Sequence, residues 1–154
     1  MNPSSINIAF TSDDWRGVAL SNFTLSPFVL DGVLLASVEG FIQGIKFPDG
    51  APNRERAFVS AGWEAKTLGR DADRRGAYWQ GQRVDYGSHT HQALIERALR
   101  ARFAQNAGLQ SVLRTTAGLT IRHEPGDGPE PATTSLPAVR FCQILTDIRA
   151  QLLS

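Results

Sequence analysis

A mainly helical α+β domain is the fold class this sequence predicts, and three observations predict it. Segments 37–47, 88–105 and 138–152 carry apolar residues at helical spacing. Asp31-Gly32 joins two short apolar runs in the manner of a hairpin turn. The 154 residues, 42% hydrophobic and 20% charged, suit one compact globular domain spanning 1–154, with a short N-terminal hairpin or small sheet.

Taken in order, residues 6–11 alternate Ile6, Ile8 and Phe10 with smaller or polar neighbours, which predicts a short strand. Runs 28–30 and 33–35 flank Asp31-Gly32 as the arms of the hairpin. Ser37 then stands as N-cap of a helix that Pro48-Asp49-Gly50 ends. A second helix is expected over 53–67, with Ala57, Phe58, Ala61 and Ala65 inward and Gly69 as its C-terminal stop. Segment 70–88 is charged, aromatic and glycine-punctuated, and it reads as a long loop with one helical turn at most. Ser88 caps the clearest helix, to about 105, with Leu94, Ile95, Ala98, Leu99 and Phe103 on its core face. Residues 109–113 continue helical, 119–122 add a strand, and the prolines and glycines of 123–137 exclude regular structure. A last helix, 138–152, buries Phe141, Ile144, Leu145, Ile148 and Leu152.

Segment 37–47 carries the chemistry. At about 100° per residue, Glu39, Gln43 and Lys46 share a stripe roughly 60° wide, while Val38, Phe41, Ile42 and Ile45 cover a neighbouring apolar face. Gly40 and Gly44 line a third side. Each glycine inside a helix costs roughly 1 kcal/mol relative to alanine, so two of them imply that something approaches the backbone closely. The bland alternative is a solvated amphipathic face. A ligand against the glycine side would make Gly44→Ala keep or raise the melting temperature while weakening binding.

Net charge of +1 gives no electrostatic case for binding a nucleic-acid backbone as the main activity. Positive charge is nevertheless uneven, with Arg97, Arg100 and Arg102 on one helix and Arg70, Arg74, Arg75 and Arg83 in one connecting segment. No apolar run approaches the ~18 residues of a membrane span, and the N-terminus lacks a secretion signal, so a cytoplasmic location is expected. The lone Cys142 excludes an internal disulfide and sits in an apolar helix pattern as core. His89 and His91, two apart at a helix start, diverge by about 200°, a poor tetrahedral pair, and no metal site is expected. Neither a phosphate-binding glycine loop, a dinucleotide fingerprint nor a nucleophile elbow occurs, and no cofactor is expected.

An ordered set of motifs runs through the chain: Leu20-Ser21-Asn22-Phe23, Asp31-Gly32, the helix with Glu39, Leu68-Gly69-Arg70-Asp71, the segment from Arg97 to Asn106, and the closing segment from Arg140 to Leu152. In that order and spacing the chain resembles the YbiA-like branch of the NADAR superfamily over nearly its whole length. It departs from that pattern at Gly40, where the family often has His, and in lacking a Trp-Gly pair in the late loop.

The resemblance implies an N-glycosidase that hydrolyses the C1–N bond of a ribosyl or ADP-ribosyl compound, with no cofactor. Two substrate classes are open: a phosphoribosylamino-pyrimidine of riboflavin biosynthesis, or ADP-ribose attached to a nucleobase, including one in an ADP-ribosylated nucleic acid. Such cleavage needs an anion near C1, an exit for the base and an activated water. Glu39 suits the anion or general base, Gln43 orients it, and Lys46 binds a phosphate or acts as an amine nucleophile toward an opened ribose. Ser21, Asn22 and Phe23 line the nucleotide pocket by resemblance. Arg70 suits bidentate phosphate binding, Trp79 and Tyr86 offer surfaces for base stacking, and Asp127 is a second catalytic carboxylate. The competing expectation is a non-catalytic module that binds NAD or ADP-ribose.

Overall fold

The computed structural model describes residues 4–154 and is built around one short helix. Strand β1 (Ser5–Asn7) leads into α1 (Trp15–Leu20), which Asp14 caps by accepting a hydrogen bond from the Arg16 N–H. The Asp31-Gly32 hairpin follows, with β2 (Phe28–Leu30) antiparallel to β3 (Val33–Leu35) in the predicted register of turn and arms. Ser37 caps α2 (Val38–Gly44), its hydroxyl accepting from the Gly40 N–H and donating to the Ser60 carbonyl. Every residue of α2 is buried, because α3 (Pro52–Phe58), α4 (Gly62–Leu68) and α5 (His89–Ala104) all pack against it. Helix α6 (Ala107–Arg114), strand β6 (Thr120–Arg122) and α7 (Ala138–Leu153) complete the chain, and β6 returns to pair in parallel with β1.

One continuous apolar cluster joins these elements and includes Phe41 of α2 and Ile45 just after it, Phe58 of α3, Ile95, Leu99 and Phe103 of α5, and Ile144 and Leu145 of α7. Two arginines, Arg102 buried and Arg149 half-buried, act as ties across it. Arg102 donates to the carbonyls of Ala19 and Leu20 at the end of α1, and Arg149 to those of Thr116 and Leu119. Arg102 thereby satisfies helix-end carbonyls that the helix itself leaves open, and Arg149 braces the turn that the Leu119 N–H closes on the Thr116 carbonyl. Among the described residues no helix is long and apolar enough to cross a membrane.

Four elements differ from the sequence expectation. The single helix over 53–67 is two, α3 and α4. The carbonyl of Phe58 accepts from the Ala36 N–H and that of Ser60 from the Ser37 hydroxyl, so both are diverted to the chain entering α2, and Gly62 turns the backbone at φ +58°. The loop over 70–88 contains a hairpin, β4 (Gly76–Trp79) with β5 (Gln82–Asp85). Its turn residues Gln80 and Gly81 both have positive φ, the backbone of a two-residue hairpin turn, a signal masked by the surrounding charge. Strand β1 stops at Asn7, leaving Phe10 exposed. Helix α1 carries no strong periodic signal and is held by its cap and by Arg102.

Candidate functional site

The first turn of α2 raises Glu39, the next turn Gln43, and Lys46 follows just beyond the helix. All three are buried at 8%, 6% and 7% exposure. The stripe is therefore not a solvated face. Gln43 Nε2 donates to Glu39 Oε1 at 2.7 Å and fixes the carboxyl. The Glu39 N–H donates to the Asn22 carbonyl at 3.0 Å, which makes the Ser21-Asn22-Phe23 segment the wall beside the carboxylate end. Gly69 forms another wall: a Cβ built there would lie 1.7 Å from Gln43 Oε1, so only glycine admits the Gln43 side chain.

Helix α4 supplies the mouth. Lys66 holds its ammonium 5.2 Å from the centre of the Trp63 ring and 5.8 Å from that of Phe23, with Asp127 Oδ2 3.4 Å away. Phe23 meets Trp63 edge-on at 5.2 Å and leans on Phe10 at 5.8 Å. These aromatics and the lysine give the entrance flat apolar surfaces and one positive charge.

Burial dominates the electrostatics. It pushes the Glu39 carboxyl above the usual carboxylate range, opposed by the Gln43 hydrogen bond and by the charges of Lys46, Lys66 and His123. It pushes the Lys46 ammonium down to about 8, helped by the Arg74 charge and opposed by Glu39. His91, wholly buried in the first turn of α5, falls to about 4 through burial and the field of Lys46. Its Nδ1 accepts from the Gly87 N–H at 2.9 Å, which leaves the proton of the neutral ring on Nε2.

Of the residues predicted for the site, the structure brings Glu39, Gln43 and Lys46 together with Ser21, Asn22 and Phe23. Asp127 joins through Lys66, and Tyr86 lies at the His91 end, 4.9 Å from that ring, with its hydroxyl on the carbonyl of Thr133. Four residues need correction. A Cβ on Gly40 would lie 2.4 Å from the Ala57 carbonyl oxygen and one on Gly44 2.3 Å from the Phe58 ring, so what approaches these glycines is helix α3 and not a ligand. Trp79 is core: it meets Phe41 edge-on at 5.0 Å and donates to Asp31 Oδ2 at 2.7 Å, leaving no face for a base. Arg70 is exposed on the single 3-10 turn Gly69–Asp71, and its motif reaches the stripe through Gly69. Sequence reasoning missed Trp63, Lys66, Arg74, His91 and His123. Only Trp63 and Lys66 carried a signal, standing three apart on one helix surface.

The chain matches the family model described as bacteriophage protein GP30.3 over residues 14–150. It is 31% identical over 142 residues to a 17.1 kDa protein of the Gp30-rIII intergenic region of Enterobacteria phage T4, covering 90% of this chain and 93% of that one. It is 33% identical over 128 residues to a protein named N-glycosidase YbiA from Escherichia coli strain K12, covering 82% of this chain and 74% of the relative. The solution NMR structure of E. coli YbiA superposes with a TM-score of 0.68 at 26% identity, covering 99% of this chain and 88% of that one.

Proposed function

We propose, for a chain that belongs to the bacteriophage protein GP30.3 family and is a YbiA-like NADAR protein, that it hydrolyses the C1–N bond joining a ribose to a nitrogen base. The observation that carries this reading is the buried Glu39–Gln43–Lys46 stripe, in which one carboxyl is pushed up and one amine down to about 8. Opposite shifts bring both groups toward the pH at which an enzyme works, where proton transfer is most efficient.

In this reading Glu39, oriented by Gln43, takes the proton of the attacking water as positive charge grows on the sugar, and its ionised form faces C1. Phe23 and Trp63 hold the planar base at the mouth, and Lys66 faces the negative part of the ligand. Lys46 has two roles open to it, cation for a phosphate or amine nucleophile toward an opened ribose, and an ammonium pushed to about 8 favours the second by leaving part of it neutral. The substrate is an ADP-ribosylated nucleobase or a phosphoribosylamino-pyrimidine. The alternative, a non-catalytic ADP-ribose-binding module, is favoured by Asp127, whose carboxylate is held by Lys66 and half exposed.

Incubating the purified chain with ADP-ribosylated guanosine and with ribosylamino-pyrimidine phosphates tests the reading. Release of free base from either, lost in Glu39→Gln, is expected; tight binding of ADP-ribose with neither base released would leave the binding module.

A further inference from the structure

Beyond Lys46 the stripe ends in hydrogen-bond donors with nothing to receive them. His91 is wholly buried, and with Nδ1 engaged by the Gly87 N–H its Nε2 carries a proton that meets no acceptor among the described residues. Arg74 has a buried Nε–H in the same condition, while its Nη1 is spent on the Ala72 carbonyl at 3.1 Å. Lys46 is 7% exposed and makes no ion pair or hydrogen bond through its Nζ among the described residues. The fold brings the three segments together: the carbonyl of Ile45, next to Lys46, accepts from the Tyr78 N–H at 2.8 Å, four positions after Arg74, and α5 packs against α2, while the charge of Arg74 acts on Lys46 and that of Lys46 on His91.

Donor-only clusters of this kind are costly. A buried donor left unmade costs about 1 to 3 kcal/mol and a charged one more, so proteins rarely leave several together without a ligand to receive them. The backbone at Arg74 adds to the case, since it is held at φ +56°, in the left-handed region that a long side chain seldom adopts. Buried Arg102 also has an Nε–H without a partner, but both its terminal nitrogens donate to protein carbonyls, and it reads as a structural tie.

We propose that Arg74, His91 and Lys46 form a phosphate-binding subsite at the inner end of the stripe, which receives a phosphate of the substrate while the ribose lies beside Glu39. A guanidinium N–H, an imidazole N–H and an ammonium converge on the anion from three segments, the 70–76 connection, the start of α5 and the end of α2. Phosphate supplies the several acceptor oxygens such a set requires, and its charge offsets two cations that repel each other. The identity of the substrate as a phosphorylated ribosyl compound rests on the glycosidase reading; the anion site does not.

Titrating the purified chain with ribose 5-phosphate and with ribose, by calorimetry and by nitrogen-15 NMR of the histidine rings, gives the test. The wild type should prefer the phosphate by about tenfold or more, and the His91 Nε2 signal should shift as phosphate binds. In Arg74→Gln, a half-exposed position whose replacement should leave the melting temperature unchanged, the preference should fall to about twofold or less while ribose binds as before. Glu39→Gln should retain the full preference. A wild type without preference, a His91 signal that ignores phosphate, or Arg74→Gln that keeps the preference would each overturn the subsite. ADP-ribose as a second ligand separates a terminal monoester from a diphosphate as the natural source. Base release is scored separately: a phosphate preference without hydrolysis would sink the glycosidase and leave the subsite standing, and hydrolysis without the preference would do the reverse.

Discussion

The glycine face and the polar face of α2 adjoin each other on one two-turn helix, yet they meet opposite surroundings. Gly40 and Gly44 lie against backbone carbonyls and the Phe58 ring of α3, at distances that leave no room for one more carbon. Glu39, Gln43 and Lys46 lie equally buried but face titratable and aromatic groups from α4, α5, the 70–76 connection and the late loop. Burial therefore does not distinguish packing from function here. What distinguishes them is whether the buried polar atoms find protein partners.

The largest effect expected is on the polar face. Glu39→Gln should lower hydrolysis by about 100-fold to 10,000-fold, the range attached to a positioned acid or base. Its melting temperature should stay close to that of the wild type, because the amide is isosteric and removes a carboxyl whose charged form burial disfavours. Base release near the wild-type rate would place the chemistry elsewhere.

Alanine on the glycine face should act on stability instead. Gly40→Ala should cost about 3 kcal/mol, since the new carbon meets two carbonyl oxygens of the α3 end that are already committed; Gly44→Ala should cost about 1 to 3 kcal/mol, since the Phe58 ring can shift. This reverses the sequence expectation that Gly44→Ala keeps its stability and loses affinity. Chemical denaturation with ADP-ribose titration on the folded fraction reads both quantities. A Gly44→Ala variant that melts higher would restore a ligand to that face.

Two tryptophans sharpen the same contrast. Trp63 is 52% exposed at the mouth, so Trp63→Ala should weaken ligands that carry a base by about 1 to 3 kcal/mol and leave ribose 5-phosphate unaffected. Trp79→Phe should leave binding alone and lose about 1 kcal/mol of stability with its hydrogen bond to Asp31. Equal loss of affinity for both ligands in Trp63→Ala would remove the base from the mouth.

The smallest effect is one of pH. Burial pushes Lys46 down to about 8 in the folded chain from the ordinary lysine value of 10.5, so between those values the unfolded chain binds more protons and stability rises with pH. Glu39 acts oppositely: its raised value makes the folded chain hold the proton longer, so its contribution declines as pH rises above 4.5. Lys46→Met should consequently melt higher than the wild type at pH 7, by a margin that shrinks as pH rises beyond about 8. A margin independent of pH would mean that the amine is not buried in its charged form.

Much of the fold was legible in the chain, and for local reasons. Ser37 and Ser88 cap the helices they were expected to cap, Asp31-Gly32 turns the hairpin it was expected to turn, and the apolar spacing of 138–152 gives α7 within a residue, because each of these depends on neighbours within a few positions. The break between α3 and α4 was not legible, since it follows from the Phe58 and Ser60 carbonyls being drawn to Ala36 and Ser37, some twenty positions away. The hairpin of β4 and β5 was present in Gln80-Gly81 but hidden by charge.

For the site, sequence alone determined that Glu39, Gln43 and Lys46 lie along one stripe, because helical geometry is set by spacing. Whether that stripe faces water or a pocket, and whether the two glycines beside it admit a ligand or a helix, only the tertiary structure decided. The same holds for Lys66, Arg74 and His91, which come from three separate segments. Desolvation, unlike periodicity, is produced by whatever the rest of the chain lays over a residue, and it is desolvation that shifts Glu39 and Lys46 in opposite directions.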